Sequence, residues 1–387
     1  MCRLGHKKSR KGCINCKRRR VKCDEQAPCR NCVRRGEDCS LLVPSPSNES
    51  EKNSALPNTP QEWMDDLSLM RHFVRETALQ PFGTSDEIQF LYQENITDEA
   101  LKYPLFVQSD EYFGSPLTIT TSLMHGILAL SALHLMHTKP TTSDRYLQLC
   151  DNHQTKAIEV FRSMLSNDLS AEMCVPIFAL ATTLSISSIA KSCAMALAMS
   201  EPRCVDIDQL LEMFMLTRGV KDIVMVYGEV IAKSSLAPML HGYEVPHDAE
   251  IVLPEAIYSR LNDLTALVES TCHKEQLEPC RDAVTRMEKM YRVVAYHEAK
   301  DNLMTGHLYS WMTSVSNEFV ALIREHFPAA LVILADFVAA SLVLESAWYM
   351  KNWGHYCLRG ISMALKQDDY LKWLEWPKAQ SHDNMVS

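Results

Sequence analysis

Glycine is scarce in this sequence, with 12 in 387 residues, and the catalytic motifs that depend on it are absent. No G-x-S-x-G nucleophile elbow, glycine-rich phosphate loop or H-E-x-x-H zinc motif occurs, so the sequence offers no residue set for the catalysis that these motifs support. Series of alternating apolar and polar residues, which would predict strands, are also lacking. These absences favour a helical protein that is not an enzyme.

Charge is distributed unevenly along the chain, whose formal net charge is −9. Residues 1–40 contain 13 Lys and Arg against 4 Asp and Glu, whereas the remainder contains 26 against 44. A basic head on an acidic body is typical of a nucleic-acid-binding module attached to another domain. The first residues are charged from Arg3 to Lys11 and contain no apolar stretch of a secretory signal, so we expect reduced cysteines rather than disulfides.

Six of the 14 cysteines are concentrated in one stretch of 27 residues, with gaps of two, six, five, two and six residues between them. Two C-x-x-C pairs, each followed by a single cysteine after six residues, indicate metal binding. Two tetrahedral zinc ions need about eight ligand positions. Either two of the six thiolates bridge the ions, or one ion binds and two cysteines are left over. The symmetric spacing favours two Zn²⁺ ions, with the ligands Cys13, Cys16, Cys23, Cys29, Cys32 and Cys39.

With all six cysteines in place, this stretch resembles the fungal zinc binuclear cluster family of transcription factors. The resemblance implies that Cys13 and Cys29 are the bridging ligands and that the target is double-stranded DNA with a CGG-type half-site. It also implies a nuclear location and a role in regulating RNA polymerase II genes through the transcription machinery or co-regulators. The basic clusters are consistent with a nuclear localisation signal.

Basic residues surround the first cysteine pair and are expected to bind DNA. The head has few apolar residues, so bound zinc must supply most of its folding free energy. A short helix is expected after each C-x-x-C pair. The resemblance assigns base contacts to the third and fourth residues after Cys16, which are Arg19 and Arg20, and arginine suits the O6 and N7 atoms of guanine. Other DNA contacts are expected from Arg10, Lys11, Lys17, Arg18 and Lys22.

The chain is predicted to have three parts: a zinc cluster module with a basic arm (residues 1–42), a linker (43–62) and an all-α regulatory body (63–387). The linker is rich in Pro, Ser and Asn and is expected to be flexible. It contains no heptad repeat of apolar residues, so a coiled coil is not expected there. Any homodimer is therefore expected to form through the body.

Apolar residues in the body recur with helical periodicity, broken by Pro, Gly and polar residues. The run from Ala329 to Tyr349 contains Asp336 and Glu345 and is predicted to be a buried core helix rather than a membrane span, so we expect no membrane contact. The pattern predicts helices over Leu123–His137, Tyr146–Leu165, Cys174–Met199, Ile207–Thr217, Glu255–Ser270, Arg281–Ala299, Leu308–His326, Ala329–Met350 and Tyr356–Lys366.

The body is also similar to the effector domain of sterol-uptake-control-like regulators. The similarity rests on short patterns: residues 128–134 (LALSALH), 218–219 (RG), 328–335 (PAALVILA) and 373–377 (WLEWP), with Trp348, Trp353, Gly354 and Ile361. It implies control of a metabolic or secondary-metabolite gene cluster. It also implies an alternative function, a ligand sensor whose body binds a sterol-like or other hydrophobic small molecule.

Three further features have a structural interpretation that we favour and a functional alternative. The 20 methionines are expected to fill the core, the alternative being an adaptable ligand pocket. Of His125, His134 and His137, only the last two share a helix face, so a metal site is not expected. The four tryptophans near the C-terminal end are expected to be mostly buried, the alternative being a dimer interface: Trp348, Trp353, Trp373 and Trp376.

Overall fold

In a computed structural model, the described residues form helices, turns and loops without a strand. They divide into two compact units, the first within Met1–Asn58 and the second within Thr59–Ser387. A small cysteine-rich module followed by an all-α body is therefore confirmed. The structure describes residues 13–19, 21–37, 39, 41, 60–79, 90–102, 116–139, 143–165, 173–198, 203–240, 245–246 and 249–383.

The first unit contains two short helices, α1 (Ile14–Arg18) and α2 (Arg30–Val33). The helices were expected after each C-x-x-C pair, but each begins inside its pair, directly after the first cysteine. The Cys13 sulfur accepts a hydrogen bond from the Cys16 backbone N–H, which starts α1 at this position. Among the described residues of this unit, the buried ones are the six cysteines, against which Leu41 packs. Val21 and Val33 are exposed, so the sulfur atoms occupy the position of a hydrophobic core.

The second unit is built of helices that pack around one core. The helix α3 continues as a π-helical turn at Phe73–Thr77, and a similar turn at Leu91–Asn95 leads into α4. The helices are α3 (Pro60–His72), α4 (Ile96–Leu101), α5 (Pro116–Thr138), α6 (Ser143–Leu165), α7 (Cys174–Ala198), α8 (Ile207–Ile231), α9 (Glu255–Thr271), α10 (Lys274–Glu298), α11 (Thr305–Ser314), α12 (Asn317–Arg324), α13 (Pro328–Ala340), α14 (Trp353–Ala364), α15 (Asp368–Leu371) and α16 (Glu375–Asp383).

Three of these helices, α5, α7 and α13, form the centre of the unit. α5 packs on α6 and α7, and α7 packs on α8. All residues from Ala329 to Ala339 in α13 are buried. Among the described residues, α7 is the single unbent helix long and apolar enough to cross a membrane, and 83% of its most apolar window is buried inside the unit. Such burial is typical of a core helix in a globular fold.

An ion pair joins α9 and α13 to the C-terminal segment. Arg260 donates to both oxygens of Asp336, at 2.7 and 2.8 Å, and to the backbone oxygen of Trp373 at 2.7 Å. Its guanidinium also lies 5.6 and 5.4 Å from the ring centres of Trp373 and Trp376, within cation–π range. These two tryptophans are half-buried, and Trp348 and Trp353 are buried. Most of the surface of these four side chains is therefore buried in contacts within the chain.

Several predicted helix boundaries were wrong. α8 continues past Gly219 to Ile231, because Ile223 and Ile231 extend its buried face. α10 begins at Lys274, before Pro279, where a proline costs one early hydrogen bond and does not end the helix.

Two predicted helices were also too long. The stretch 308–326 is two helices, and the hydroxyl of Ser316 caps the second by accepting from the Phe319 N–H at 3.1 Å. The core helix α13 ends at Ala340, and two 3₁₀ turns, Ser341–Leu344 and Trp348–Met350, follow it. At the start of the body, α3 begins at Pro60, so three residues assigned to the linker are helical; residues 43–59 lie outside the described residues.

Candidate metal centre and nucleic-acid interface

The six predicted zinc ligands are the most buried of the described residues in the first unit, with exposed fractions of 0–2%. The sulfur of Cys29 lies 3.6 Å from that of Cys13 and 3.7 Å from that of Cys16, and the sulfurs of Cys13 and Cys32 are 3.6 Å apart. Tetrahedral zinc with bonds of about 2.3 Å places its sulfur ligands about 3.8 Å apart. The sulfur atoms of Cys13, Cys16, Cys29 and Cys32 all lie within 4.8 Å of one another, so this geometry fits zinc.

The two halves of the module repeat the same contacts. The Cys13 N–H donates to the Cys23 sulfur at 3.4 Å, and the Cys29 N–H donates to the Cys39 sulfur at 3.3 Å. In both halves the first cysteine of a C-x-x-C pair thus contacts the single cysteine ten residues later. Cys23 and Cys39 thus occupy equivalent positions in the two halves of one buried cluster.

The pKa values of the buried thiols indicate a site that needs a cation. Burial raises the pKa of Cys16 to about 12, and also raises the pKa of Cys29 and of Cys32. Burial acts in the same direction on Cys13, but hydrogen bonds from the Cys16 N–H and the neighbouring thiols lower its pKa to about 6. Several thiolates held this close together in a buried site require compensating positive charge, which divalent zinc supplies.

Polar side chains outside the cage tie its two halves together. The Asp24 carboxylate accepts from the Arg30 N–H at 3.2 and 3.3 Å, at the beginning of α2. The Asn31 side chain donates to the Lys22 backbone oxygen at 2.8 Å. These contacts attach the loop after α1 to α2. Sequence reasoning did not single out Asp24 or Asn31, although an acidic residue shortly before a helix is a recognisable capping signal.

The basic residues expected at the DNA interface differ in their surroundings. Lys17, Arg18 and Lys22 are exposed. Arg19 is half-buried; its Nε donates to the Asn15 backbone oxygen at 3.1 Å, and its Nη2 donates to the Glu37 carboxylate. The contact with Glu37 was not predicted from the sequence. The remaining predicted DNA contacts, Arg10, Lys11 and Arg20, lie outside the described residues.

The histidines of α5 do not form a metal site. His134 Nδ1 lies 3.2 Å from His72 Nε2 and 2.9 Å from the Thr77 hydroxyl, whereas His125 Nδ1 lies 2.9 Å from His153 Nδ1. His137 packs near the ring of Trp348. His134 also packs on Trp348, but the three histidines do not converge on one point. Among the described residues, the groups suited to a metal are Cys13, Cys16, Cys29 and Cys32 and, beside them, Cys23 and Cys29 with Asp24.

The body contains a cavity of about 570 Å³ between α7, α8 and α11. Its walls combine apolar side chains with several hydroxyl groups, and three of the methionines line it. At one side, the Lys221 amino group donates to the Thr313 backbone oxygen at 2.8 Å. Ligand pockets have volumes of roughly 300–1,000 Å³ and similar apolar walls with a few polar groups. The size and lining of this cavity are therefore suitable for a small apolar molecule.

The cysteine geometry defines a class of metal-binding module, and comparison with known proteins identifies it. Residues 11–48 match the fungal Zn(2)-Cys(6) binuclear cluster domain. The chain carries this domain, which binds two zinc ions. Three of the relatives are named as transcription factors or as a transcription regulator, which are not enzymes.

Three relatives illustrate how far the similarity extends. A Zn(2)-C6 fungal-type transcription factor of Gibberella zeae is 22% identical over 444 aligned positions, covering 97% of this chain and 86% of the relative. Sterol uptake control protein 2 of Candida albicans is 60% identical over 38 residues, 10% of this chain and 5% of the relative. The aspercryptin biosynthesis cluster-specific transcription regulator of Emericella nidulans is 28% identical over 194 residues, 45% of this chain and 31% of the relative.

Most of these alignments are partial. In three of the four, the chain spans 5–35% of the relative's length. The match to the sterol uptake protein, over 38 residues, is no longer than the matched cluster domain. No solved structure matches the chain.

Proposed function

We propose that this chain is a zinc-dependent regulator of transcription that binds a specific DNA sequence through residues 1–42. The observation that carries the proposal is the compact cluster of six buried cysteine sulfurs, next to a short helix that exposes Lys17 and Arg18. The two units have different tasks: the first binds DNA, and the acidic body, residues 63–387, recruits co-regulators or the transcription machinery. The regulator acts in the nucleus, on genes transcribed by RNA polymerase II.

All six cysteines serve as zinc ligands in this proposal. Cys13 and Cys29 bridge the two ions; Cys16 and Cys23 complete one coordination sphere, and Cys32 and Cys39 complete the other. The separations of Cys29 from Cys13 and Cys16 suit the first sphere, and that between Cys13 and Cys32 suits the second. The zinc ions hold the module together, and base recognition belongs to the protein side chains.

The DNA contacts are of two kinds: contacts to base edges recognise the sequence, and contacts to phosphates hold the protein on the DNA. Arg19 and Arg20 contact base edges of a CGG-type half-site in the major groove. Lys17, Arg18, Lys22, Arg10 and Lys11 contact phosphates, which supply affinity without sequence information. The name of the Emericella nidulans relative supports a biosynthetic gene cluster as the target.

Selection of bound sequences from random DNA by the full-length, zinc-loaded chain tests this proposal. The expected result is enrichment of one motif that contains a CGG-type triplet, and loss of enrichment after zinc is removed with a chelator. Recovery of random sequence by the zinc-loaded chain would contradict sequence-specific binding.

A second function, ligand sensing by the body, is supported by the 570 Å³ cavity. Its apolar walls, interrupted by the hydroxyl groups of Thr182, Ser185 and Thr217, suit a largely apolar molecule that carries a polar group. In this alternative, binding of a ligand to the body regulates DNA binding by the first unit. The name of the Candida albicans relative refers to sterol uptake, but the alignment covers only 10% of this chain.

Extraction of the protein purified from its host, followed by mass spectrometry of the lipid fraction, tests the second function. A stoichiometric apolar molecule is expected in the wild type and should be absent from Ser310→Trp, which fills the cavity. Ser270→Trp places the same side chain at an exposed position of α9 and should retain the molecule. Equal recovery from all three proteins, or from none, would count against the cavity as a binding site.

A further inference from the structure

The Arg19–Glu37 pair connects the two halves of the cluster module through side chains. Arg19 is the C-cap residue of α1. Glu37 follows α2 and is 18 residues after Arg19 in the sequence. The side chains are 21% and 41% exposed, so the pair lies at the surface, where an ion pair contributes little to folding stability. A contact that adds little stability but fixes the orientation of a predicted base-reading side chain calls for a functional explanation.

The backbone holds both partners firmly on the cysteine cage. The Arg19 N–H donates to the carbonyl oxygens of Asn15 and Lys17 in α1. Gly36 has a φ of +62°, which suits glycine, and the turn it forms lets the Glu37 N–H donate to the Cys32 backbone oxygen at 3.1 Å. Since Cys32 belongs to the sulfur cluster, the carboxylate has a fixed position relative to the end of α1.

The two side-chain contacts leave part of the Arg19 guanidinium for DNA. A guanidinium has about five N–H donors. Nε uses its donor on the Asn15 oxygen, and Nη2 uses one donor on Glu37. The remaining donors include at least one on each terminal nitrogen, the pair that can bond end-on to O6 and N7 of guanine.

We propose that Glu37 is a positioning residue for DNA recognition: it holds the Arg19 guanidinium ready for a base edge. This inference rests on the proposed function. Fixing a long side chain before binding removes the entropy cost of ordering it in the complex. The negative charge of Glu37 acts in the opposite direction, because it repels phosphates of every sequence. Glu37 thus raises the preference for the correct site while lowering affinity for all DNA.

Substitutions at Glu37 separate its contact from its charge. The dissociation constants of the full-length, zinc-loaded chain are measured for the duplex selected from random DNA and for a scrambled duplex. The ratio compared is the dissociation constant for the scrambled duplex divided by that for the selected duplex. Glu37→Gln keeps an acceptor oxygen and removes the charge, so both duplexes should bind more tightly, and the ratio should stay within about twofold of the wild-type value. Glu37→Ala removes both, so the ratio should fall about fivefold. Glu37→Asp keeps the charge but shortens the side chain, so the ratio should fall without a general gain in affinity.

Two controls show whether Glu37 acts through Arg19. Glu25→Gln removes an exposed negative charge elsewhere in the module and should leave the ratio unchanged. In an Arg19→Ala background, Glu37→Ala should no longer change the ratio. The zinc content of each variant should equal that of the wild type.

The inference would be overturned if Glu37→Ala and Glu37→Gln gave the same ratio as the wild type. It would also be overturned if Glu37→Ala raised the ratio, since Glu37 would then compete with DNA for Arg19. A zinc-loaded wild type without sequence preference is a different result, because it contradicts the proposed function itself.

Discussion

At the scale of single residues, recognition of DNA is expected to depend on two adjacent arginines with different surroundings. Arg19 is held by Asn15 and Glu37, and Arg20 lies outside the described residues. We predict that Arg20→Ala costs about 1–3 kcal/mol on the selected site and flattens the preference among sequences. Lys11→Ala should instead weaken binding to all sequences alike and reduce the salt dependence. Titrations of both variants on selected and scrambled DNA check this. If Arg20→Ala weakened both duplexes equally, base reading would not belong to Arg20.

Buried histidines predict how the stability of the body depends on pH. Burial, with neighbouring His72 and His297 acting in the same direction, lowers the pKa of His134 and of His307 to about 4. Between that value and the ordinary pKa of about 6.5, the unfolded state binds more protons than the folded state, so stability falls as pH falls. The loss from pH 7 to pH 5 should be on the order of 2 kcal/mol per histidine.

Urea unfolding followed by tryptophan fluorescence measures this loss in the body, because all six tryptophans lie between Trp63 and Trp376. His307→Phe keeps an aromatic ring beside His297, to which His307 is stacked at 3.9 Å between ring centres, and should make the loss smaller. An unchanged urea midpoint between pH 7 and pH 5 would show that these histidines are not held neutral by the fold.

At the scale of helices, α14 approaches the segment before α8 so closely that a side chain at Gly360 is expected to destabilise the fold. A Cβ there would lie 1.8 Å from the Val205 backbone oxygen, and the Val205 N–H donates to the Tyr356 oxygen at 3.1 Å. Gly360→Ala must separate the two segments and should cost about 3 kcal/mol or more. Gly219→Ala is the matched control, because a Cβ there meets nothing within 4 Å; it should stabilise α8 by about 0.5–1 kcal/mol.

Chemical denaturation of the two glycine variants gives the comparison. We expect opposite shifts of the urea midpoint from that of the wild type. A Gly360→Ala protein with the wild-type midpoint would mean that α14 can move away from Val205 at little cost.

The helices also show what the sequence can and cannot determine. The ends of helices with long, periodic apolar patterns, such as α7 and α9, were predicted to within one residue. In these helices the pattern of buried residues can be recognised from the sequence of the helix itself. The break before α12 was missed, although Ser316, Asn317 and Glu318 form a polar capping signal in the sequence. The end of α13 at Ala340 was missed because apolar residues continue beyond it. There the chain direction is set by packing against other helices, which the local pattern does not contain.

The metal centre was easier to predict than its surroundings. Cysteine spacing is a direct consequence of the tetrahedral geometry of zinc, so the sequence alone indicated the six residues that the structure buries together. The contact between Arg19 and Glu37 depends on a turn at Gly36 and on two helices that meet through the cage. A sequence pattern does not reveal such a contact between residues 18 positions apart.

At the scale of the whole molecule, the separate roles of the two parts predict how the protein assembles. A single cluster reads about one triplet, and a homodimer joined through the body would gain affinity by effective concentration. We predict that a fragment of residues 1–62 is monomeric and binds DNA weakly, whereas the full chain binds more tightly. Sedimentation and DNA titration of both proteins check this. A fragment that dimerises alone would mean that residues 43–62 contain a dimerisation element.

Six cysteines are expected to hold two zinc ions, on which the folding of the DNA-binding module depends. Elemental analysis of the purified full-length chain tests this expectation most directly, combined with chelation while tryptophan fluorescence reports on the body. We predict two zinc ions per chain, and loss of both zinc and DNA binding on chelation with little change in fluorescence, because the module lacks an apolar core of its own. One zinc ion per chain, or none, would contradict the binuclear cluster.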